Sequence, residues 1–101
     1  MQKKSKDKPI VWTFEAQRNL ELIFDHIVKH FSHNLAVEKT GIIMNEIETL
    51  AQFPRKGKIS IHFNEMRELI VEENTIYYRN NEKDIVVASI RARRTQRKRL
   101  K

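Results

Sequence analysis

Residues 66–94, MRELIVEENTIYYRNNEKDIVVASIRARR, commit this chain to a sheet. Three short runs of strand-forming residues are separated by two polar breaks, with no room for a helix between them. The expected strands are 66–71, 75–79 and 84–90, and the turns are 72–74 and 80–83, both short enough for hairpins. Alternation along the last run predicts Val86, Ala88 and Ile90 on one side, with Val87 and Ser89 on the other. Arg67 breaks the apolar pattern of the first run, sharing a face with Leu69 and Val71. A half-buried guanidinium is costly unless paired, so an anionic partner is expected: an acidic residue on a neighbouring strand, or a phosphate or carboxylate from outside. Tyr77 and Tyr78 point to opposite faces, one into the core and one covering the open side or stacking on a base.

A sheet with a buried face needs a cover, and the first half of the chain reads as one. Pro9-Ile10-Val11-Trp12 is an opening edge strand, and Thr13 is an N-cap with Glu15 in the first turn. Ala16, Leu20, Ile23, Phe24, Ile27, Val28 and Phe31 recur at helical spacing, which predicts an amphipathic helix over 14–31. Ser32-His33-Asn34 breaks it, and Ser32 or Asn34 caps a second helix running to about Phe53, where Pro54 ends it. The short connector folds the two helices into a hairpin. Gly41, inside the second helix, costs about 1 kcal/mol against alanine and implies a close approach to the first. Arg55-Lys56-Gly57-Lys58 is a basic turn, and Ile59-Ser60-Ile61-His62-Phe63 alternates as a further strand. The expected class is α+β: a short N-terminal strand and an α-helical hairpin packed on one face of an antiparallel sheet.

At 101 residues the chain makes one domain, here 9–94, between a flexible basic N-terminus (1–8) and a basic tail (95–101). The net charge of +7 is unevenly placed: residues 91–101 hold seven Lys/Arg and no acid, while 9–90 hold nine Lys/Arg against twelve Asp/Glu. A basic end is either a solvated tail or a contact for a polyanion or acidic partner. The absence of cysteine rules out a disulfide framework and thiolate metal sites. No apolar run is long enough for a membrane span, and the N-terminus lacks a signal-peptide core, so a cytoplasmic location is expected.

Few residues carry chemistry. His26, His30 and His33 have helical spacing but no third protein ligand placed beside them, so exposed helical histidines are expected, with no metal or other cofactor. Lys56, Lys58, Arg67, Arg91, Arg93 and Arg94 are the candidate phosphate- or target-binding cations, and topology groups all of them but Arg67 on one rim.

The ordered set TFEAQRNLELIFDHIV, LAQFPRKGK, MRELIV, TIYYR, DIVVASI and a terminal arginine cluster resembles the RelE/ParE superfamily of type II toxins, long described as plasmid stabilisation proteins, over roughly residues 10–100. The long helix hairpin looks more like the ParE branch. The resemblance implies a cognate antitoxin, with Arg67, Tyr77 and Tyr78 on the antitoxin-binding surface, and a hetero-oligomer with it. Arg67, Tyr78 and Arg94 match superfamily positions, and Lys56 and Lys58 lie where RelE-like ribosome-dependent nucleases often place lysines. Such nucleases need a general base, a general acid and stabilisation of the charged phosphorane. Neither His nor Tyr follows Tyr78, and Arg91 sits about where many ParE-like proteins have a histidine. That leaves Arg67, Arg94 and His62 as catalytic candidates, with Glu68 facing away from Arg67. The resemblance therefore implies a ParE-like inhibitor of DNA gyrase. The alternatives are a RelE-like mRNA endonuclease acting on the ribosome and a non-toxic basic binding module.

Overall fold

The structure, a computed structural model, describes residues 7–93. The chain runs as strand β1 (Ile10–Trp12), helices α1 (Phe14–His30) and α2 (His33–Glu48), a 3₁₀ turn (Thr49–Ala51), then β2 (Lys58–Ile59), β3 (Arg67–Val71), β4 (Asn74–Asn80) and β5 (Ile85–Ala92). The five strands form one sheet in the order β1-β5-β4-β3-β2. Both helix starts follow their caps: Thr13 Oγ1 accepts from the Ala16 amide at 3.0 Å, and Ser32 Oγ accepts from that of Leu35 at 3.0 Å. Of the two candidate caps for α2, Ser32 serves.

The helix hairpin on one sheet face and the β3-β4-β5 meander are as the sequence predicts, with four differences. First, the sheet is mixed, not antiparallel, because β1 pairs parallel with β5 in the register Ile10↔Ile85 to Trp12↔Val87. The connection from β1 to β5 passes through the helix hairpin and then β2, β3 and β4, ample length for a parallel pairing. Second, the strand expected over 59–63 is only Lys58–Ile59. Ser60 Oγ accepts from the His62 and Phe63 amides, each at 3.0 Å, and this local turn takes the backbone out of the ladder.

Third, strict alternation in β5 fails. Tyr78 pairs with Val87 but Tyr77 pairs with Ser89, so Ala88 is a surplus residue in a bulge. The extra residue reverses the face of everything after it, which places Ile85, Val87 and Ile90 in one core with Ile43, Ile47, Leu50, Val71, Ile76 and Tyr78. The helices satisfy the backbone groups around the bulge. Thr13 Oγ1 donates to the Ala88 carbonyl at 2.9 Å, and Asn19 Oδ1 accepts from the Ile90 amide at 2.9 Å. Fourth, Gly41 makes no close approach, since a methyl group there would meet nothing within 4 Å.

The β3–β4 turn is Glu72-Glu73, with φ of 48° and 63° at residues that normally avoid the left-handed region. Two contacts fix it: Lys39 Nζ binds Glu72 Oε1 at 2.7 Å, and Asn74 Nδ2 donates to the Glu72 carbonyl at 2.8 Å. The ion pair holds the Lys39 pKa above its ordinary value.

The Thr13 hydroxyl caps α1 and donates to the Ala88 carbonyl at once, so Thr13→Val should lower stability by about 2 kcal/mol in urea or thermal unfolding, more than a cap alone accounts for. Thr13→Ser keeps both bonds and should recover most of the loss.

Candidate functional site

Three surfaces gather the residues that matter: the loop after α2, the open face of the sheet, and a groove at the hairpin's far end.

The loop connects the 3₁₀ turn to β2 and carries Pro54, Arg55, Lys56 and Gly57. Tyr78 reaches it from the core. Its hydroxyl donates to the Pro54 carbonyl at 2.7 Å and accepts from the Gly57 amide at 2.9 Å. Arg67 Nη1 donates to the Gly57 carbonyl at 2.6 Å. Arg67 thus has a backbone carbonyl where an anion was expected; among the described residues the ion pairs belong to Lys39 and Lys56. Both polar groups of Gly57 are held by sheet side chains. No side chain fits there, since a methyl group would lie 2.6 Å from the Glu68 carbonyl oxygen and 2.9 Å from the Tyr78 ring and hydroxyl. Lys56 folds back on α2, with Nζ 2.7 Å from Glu46 Oε1 and 3.0 Å from Thr49 Oγ1.

Tyr78 is fully buried. Burial favours the neutral phenol and raises its pKa above the ordinary 10.0, while the Gly57 amide and the Arg67 charge pull it down by less. Such a hydroxyl is a structural bridge with no exposed surface in the isolated chain.

The opposite, open face of the sheet carries Tyr77. Phe63, brought in by the Ser60 turn, packs edge-on against the Tyr77 ring at 4.9 Å, and the Arg91 guanidinium lies 5.6 Å over Phe63. Tyr77 is only 4% exposed, so it covers the sheet and leaves little for a base to stack on. Its pKa is raised, by burial first and then by the Glu68 charge, with Arg91 opposing. Glu68 is buried on this face, as alternation predicts, and accepts a 2.7 Å hydrogen bond from Ser60 Oγ. His62 lies exposed in the same loop.

The rim of cations is therefore divided. Arg67 pairs across from Tyr78, while Arg91 pairs with Thr75 two strands away, three residues further along and on the other face. Strand geometry puts their Cα atoms roughly 14 Å apart. Lys56, Lys58 and Arg67 cluster at one end, and Arg91 and Arg93 lie at the other. Arg94 falls outside the described residues.

At that other end the hairpin overhangs the sheet. A groove of about 560 Å³ runs between α1, α2 and the β3–β4 turn, lined by Leu22, Ile23, Ile27, Phe31 and Leu35 with Glu72, Glu73 and Asn74 on its rim. The apolar stripe read from the sequence is thus only partly covered: Phe31 is 65% exposed. His26 and His30 stack at 4.4 Å on the exposed helix and His33 meets the Phe24 ring edge-on. Among the described residues no group of three or more His, Cys, Asp or Glu could hold a metal ion. None of the described helices is long and apolar enough to cross a membrane.

Sequence reading missed Gly57 and Ser60. Gly57 had a signal, being one of two glycines in the chain and set inside a basic turn. Ser60 had none, because its role depends on contacts with Glu68 across the strand.

Residues 10–97 match the ParE toxin family of type II toxin–antitoxin systems, parDE, and the chain belongs to that family. The fold is also that of two solved structures. The chromosomal ParDE toxin–antitoxin system from P. aeruginosa superposes with a TM-score of 0.78 and 23% identity, over 86% of this chain and 97% of that one. The E. coli DinJ–YafQ toxin–antitoxin complex gives a TM-score of 0.63 and 10% identity, over 88% and 96%. Comparison with curated protein sequences returned no match.

The raised Tyr78 pKa fixes an alkaline limit on stability. The folded chain holds the phenolic proton more tightly than the unfolded one, so this contribution is complete below pH 10 and disappears as pH rises through the raised value. Denaturant titrations at stepped pH should show stability falling above about pH 10, less steeply in Tyr78→Phe, which has no proton to lose there.

Proposed function

We propose that this chain is a toxin that arrests growth by binding DNA gyrase, without chemistry of its own, and that a cognate antitoxin neutralises it. The observation that carries this reading is the engagement of Tyr78. Cleavage of RNA by in-line attack requires groups free to accept and deliver a proton. The Tyr78 hydroxyl bridges two backbone groups inside the fold. Glu68 is buried on the face opposite Arg67 and bonded to Ser60. Of the other candidates, Arg67 stabilises charge but does not act as a base, Arg94 falls outside the described residues, and His62 is exposed in the Ser60 loop, on a different segment from the Tyr78–Gly57–Arg67 contacts. Binding requires none of these groups to titrate.

The groove at the hairpin end supports the antitoxin half of the reading. Leu22 and Phe31 are exposed apolar side chains on a helix whose sheet cover has run out. Such a surface suits a helical or extended segment, apolar on one side. Acidic residues on its other side would meet Arg93 and the basic residues that follow in the sequence. Both structural neighbours come from toxin–antitoxin systems, which supports a protein partner of this kind.

Expression of the chain in bacteria should stop growth with transcripts intact and a DNA-damage response induced, and the purified protein should inhibit supercoiling by purified gyrase. Arrested translation with cleaved transcripts would replace this reading with the RelE-like nuclease. An unchanged growth curve with the fold intact would leave a basic binding module.

For the antitoxin surface, Leu22→Asp with Phe31→Asp should weaken capture by the antitoxin at least about tenfold. Thermal stability should change little, because both side chains are already exposed.

A further inference from the structure

Among the described residues, the Arg55 and Lys58 side chains have no ion-pair or hydrogen-bond partner, and they flank a backbone held at both polar groups of Gly57. We propose that the segment 53–59 is the surface by which the toxin docks on its target, that the complementary surface is an acidic protein face with an apolar centre, and that Arg67 and Tyr78 serve it as positioning residues through Gly57. The proposal rests on the toxin reading above and assigns it a place on the molecule.

Three observations carry it. The first is the clamp: a loop that merely connects a helix to an edge strand needs no tyrosine from the core and no arginine from the sheet. Here both polar groups of Gly57 and the Pro54 carbonyl are held by those two side chains. A loop fixed before contact loses little conformational freedom on binding. The second is composition at the surface. Phe53 is 59% exposed and Ile59 is 69% exposed, and in the sequence they bracket Arg55 and Lys58. Ile59 gives a nucleobase no plane to stack on, and Phe53 beside Arg55 is the aromatic-with-arginine combination enriched at protein interfaces, so apolar residues set among cations fit an acidic protein face. Lys56 adds little net charge, because Glu46 already neutralises it.

The third observation is position. The hairpin-end groove takes Leu35, Lys39 and Ile43 from α2, whereas this loop follows the other end of the same helix. The helix has 16 residues, so its ends are roughly 24 Å apart. Loss of target binding and loss of antitoxin binding are therefore separable by mutation.

The test uses the full chain and the antitoxin purified with it. Arg55→Glu combined with Lys58→Glu should abolish growth arrest and raise the concentration for half-inhibition of gyrase at least about tenfold, while antitoxin capture stays within about twofold. Tyr78→Phe keeps every cation but frees the loop, so it should weaken inhibition and leave antitoxin capture intact. A purely structural role would weaken both. Its effect should shrink in a Lys58→Ala background, because a positioning residue has less to position there. An equally toxic Arg55→Glu/Lys58→Glu chain would overturn the docking surface alone. Cleaved transcripts from the wild-type chain, lost in that variant, would put RNA on this surface and overturn the protein partner. A wild-type chain that leaves growth untouched would overturn the toxin reading, and this surface with it.

Discussion

The Thr13 hydroxyl accepts the amide that starts α1 and donates to the carbonyl of Ala88, the surplus residue of β5. These two bonds, with the Asn19 side chain on the Ile90 amide, fasten the first helix to the one irregular point of the sheet. Without the bulge, Val87 and Ile90 would face opposite sides of β5. With it, both enter the same core. Without the helix, backbone groups freed by the bulge would be buried unpaired, at a cost of about 1–3 kcal/mol each. The bulge and the helix docking therefore require each other. Because β5 also pairs with β1 on one side and β4 on the other, the register of three strands follows from that junction.

The same division of labour recurs towards the other edge of the sheet, beside β2 and β3. There the core donates a tyrosine, the sheet donates an arginine, and what they fix is a surface loop. At both junctions a side chain rooted in regular structure satisfies the backbone of an irregular segment. The consequences differ in exposure. The Ala88 junction is covered by α1 and serves the fold, whereas the Gly57 junction leaves Arg55, Lys58 and Ile59 facing outward.

Much of the fold was legible because it is written in period. The helical stripe of 14–31, the Ser32 cap, Pro54 and the two hairpin breaks are local signals, and each marked an element close to where it lies. What was illegible depends on contacts distant in sequence. The Ile59–Phe63 run alternates as well as any strand, but the Ser60 hydroxyl binds amides two and three residues on, and its carboxylate partner Glu68 holds it there. Alternation in β5 gave no hint of a bulge, since Val86, Val87 and Ala88 are all apolar enough for either face. Gly41 invited a packing explanation that belonged to Gly57, and only the distances to Glu68 and Tyr78 separate the two glycines. The site was harder still. Arg67 could be marked as unusual, but not the identity of its partner.

That partner matters to how the family resemblance is used. An arginine on the third strand and a tyrosine on the fourth can be matched by position alone, and in a nuclease both would point to catalysis. Here the hydrogen bonds engage both residues elsewhere, since each binds the backbone of Gly57. A guanidinium that donates to a fixed carbonyl keeps its remaining donors, but its orientation is set by the loop and not by a phosphate. The phenol is buried, with its proton given to the Pro54 carbonyl and one lone pair taken by the Gly57 amide. Arg91 cannot take over, because it lies on the other face of the sheet, against Phe63 and near Tyr77. Arg67 and Tyr78, the residues that match superfamily positions, thus both hold the backbone of one loop. The exposed groups at this end of the molecule include Arg55, Lys58 and Ile59, and it is from these that the proposed docking surface is built.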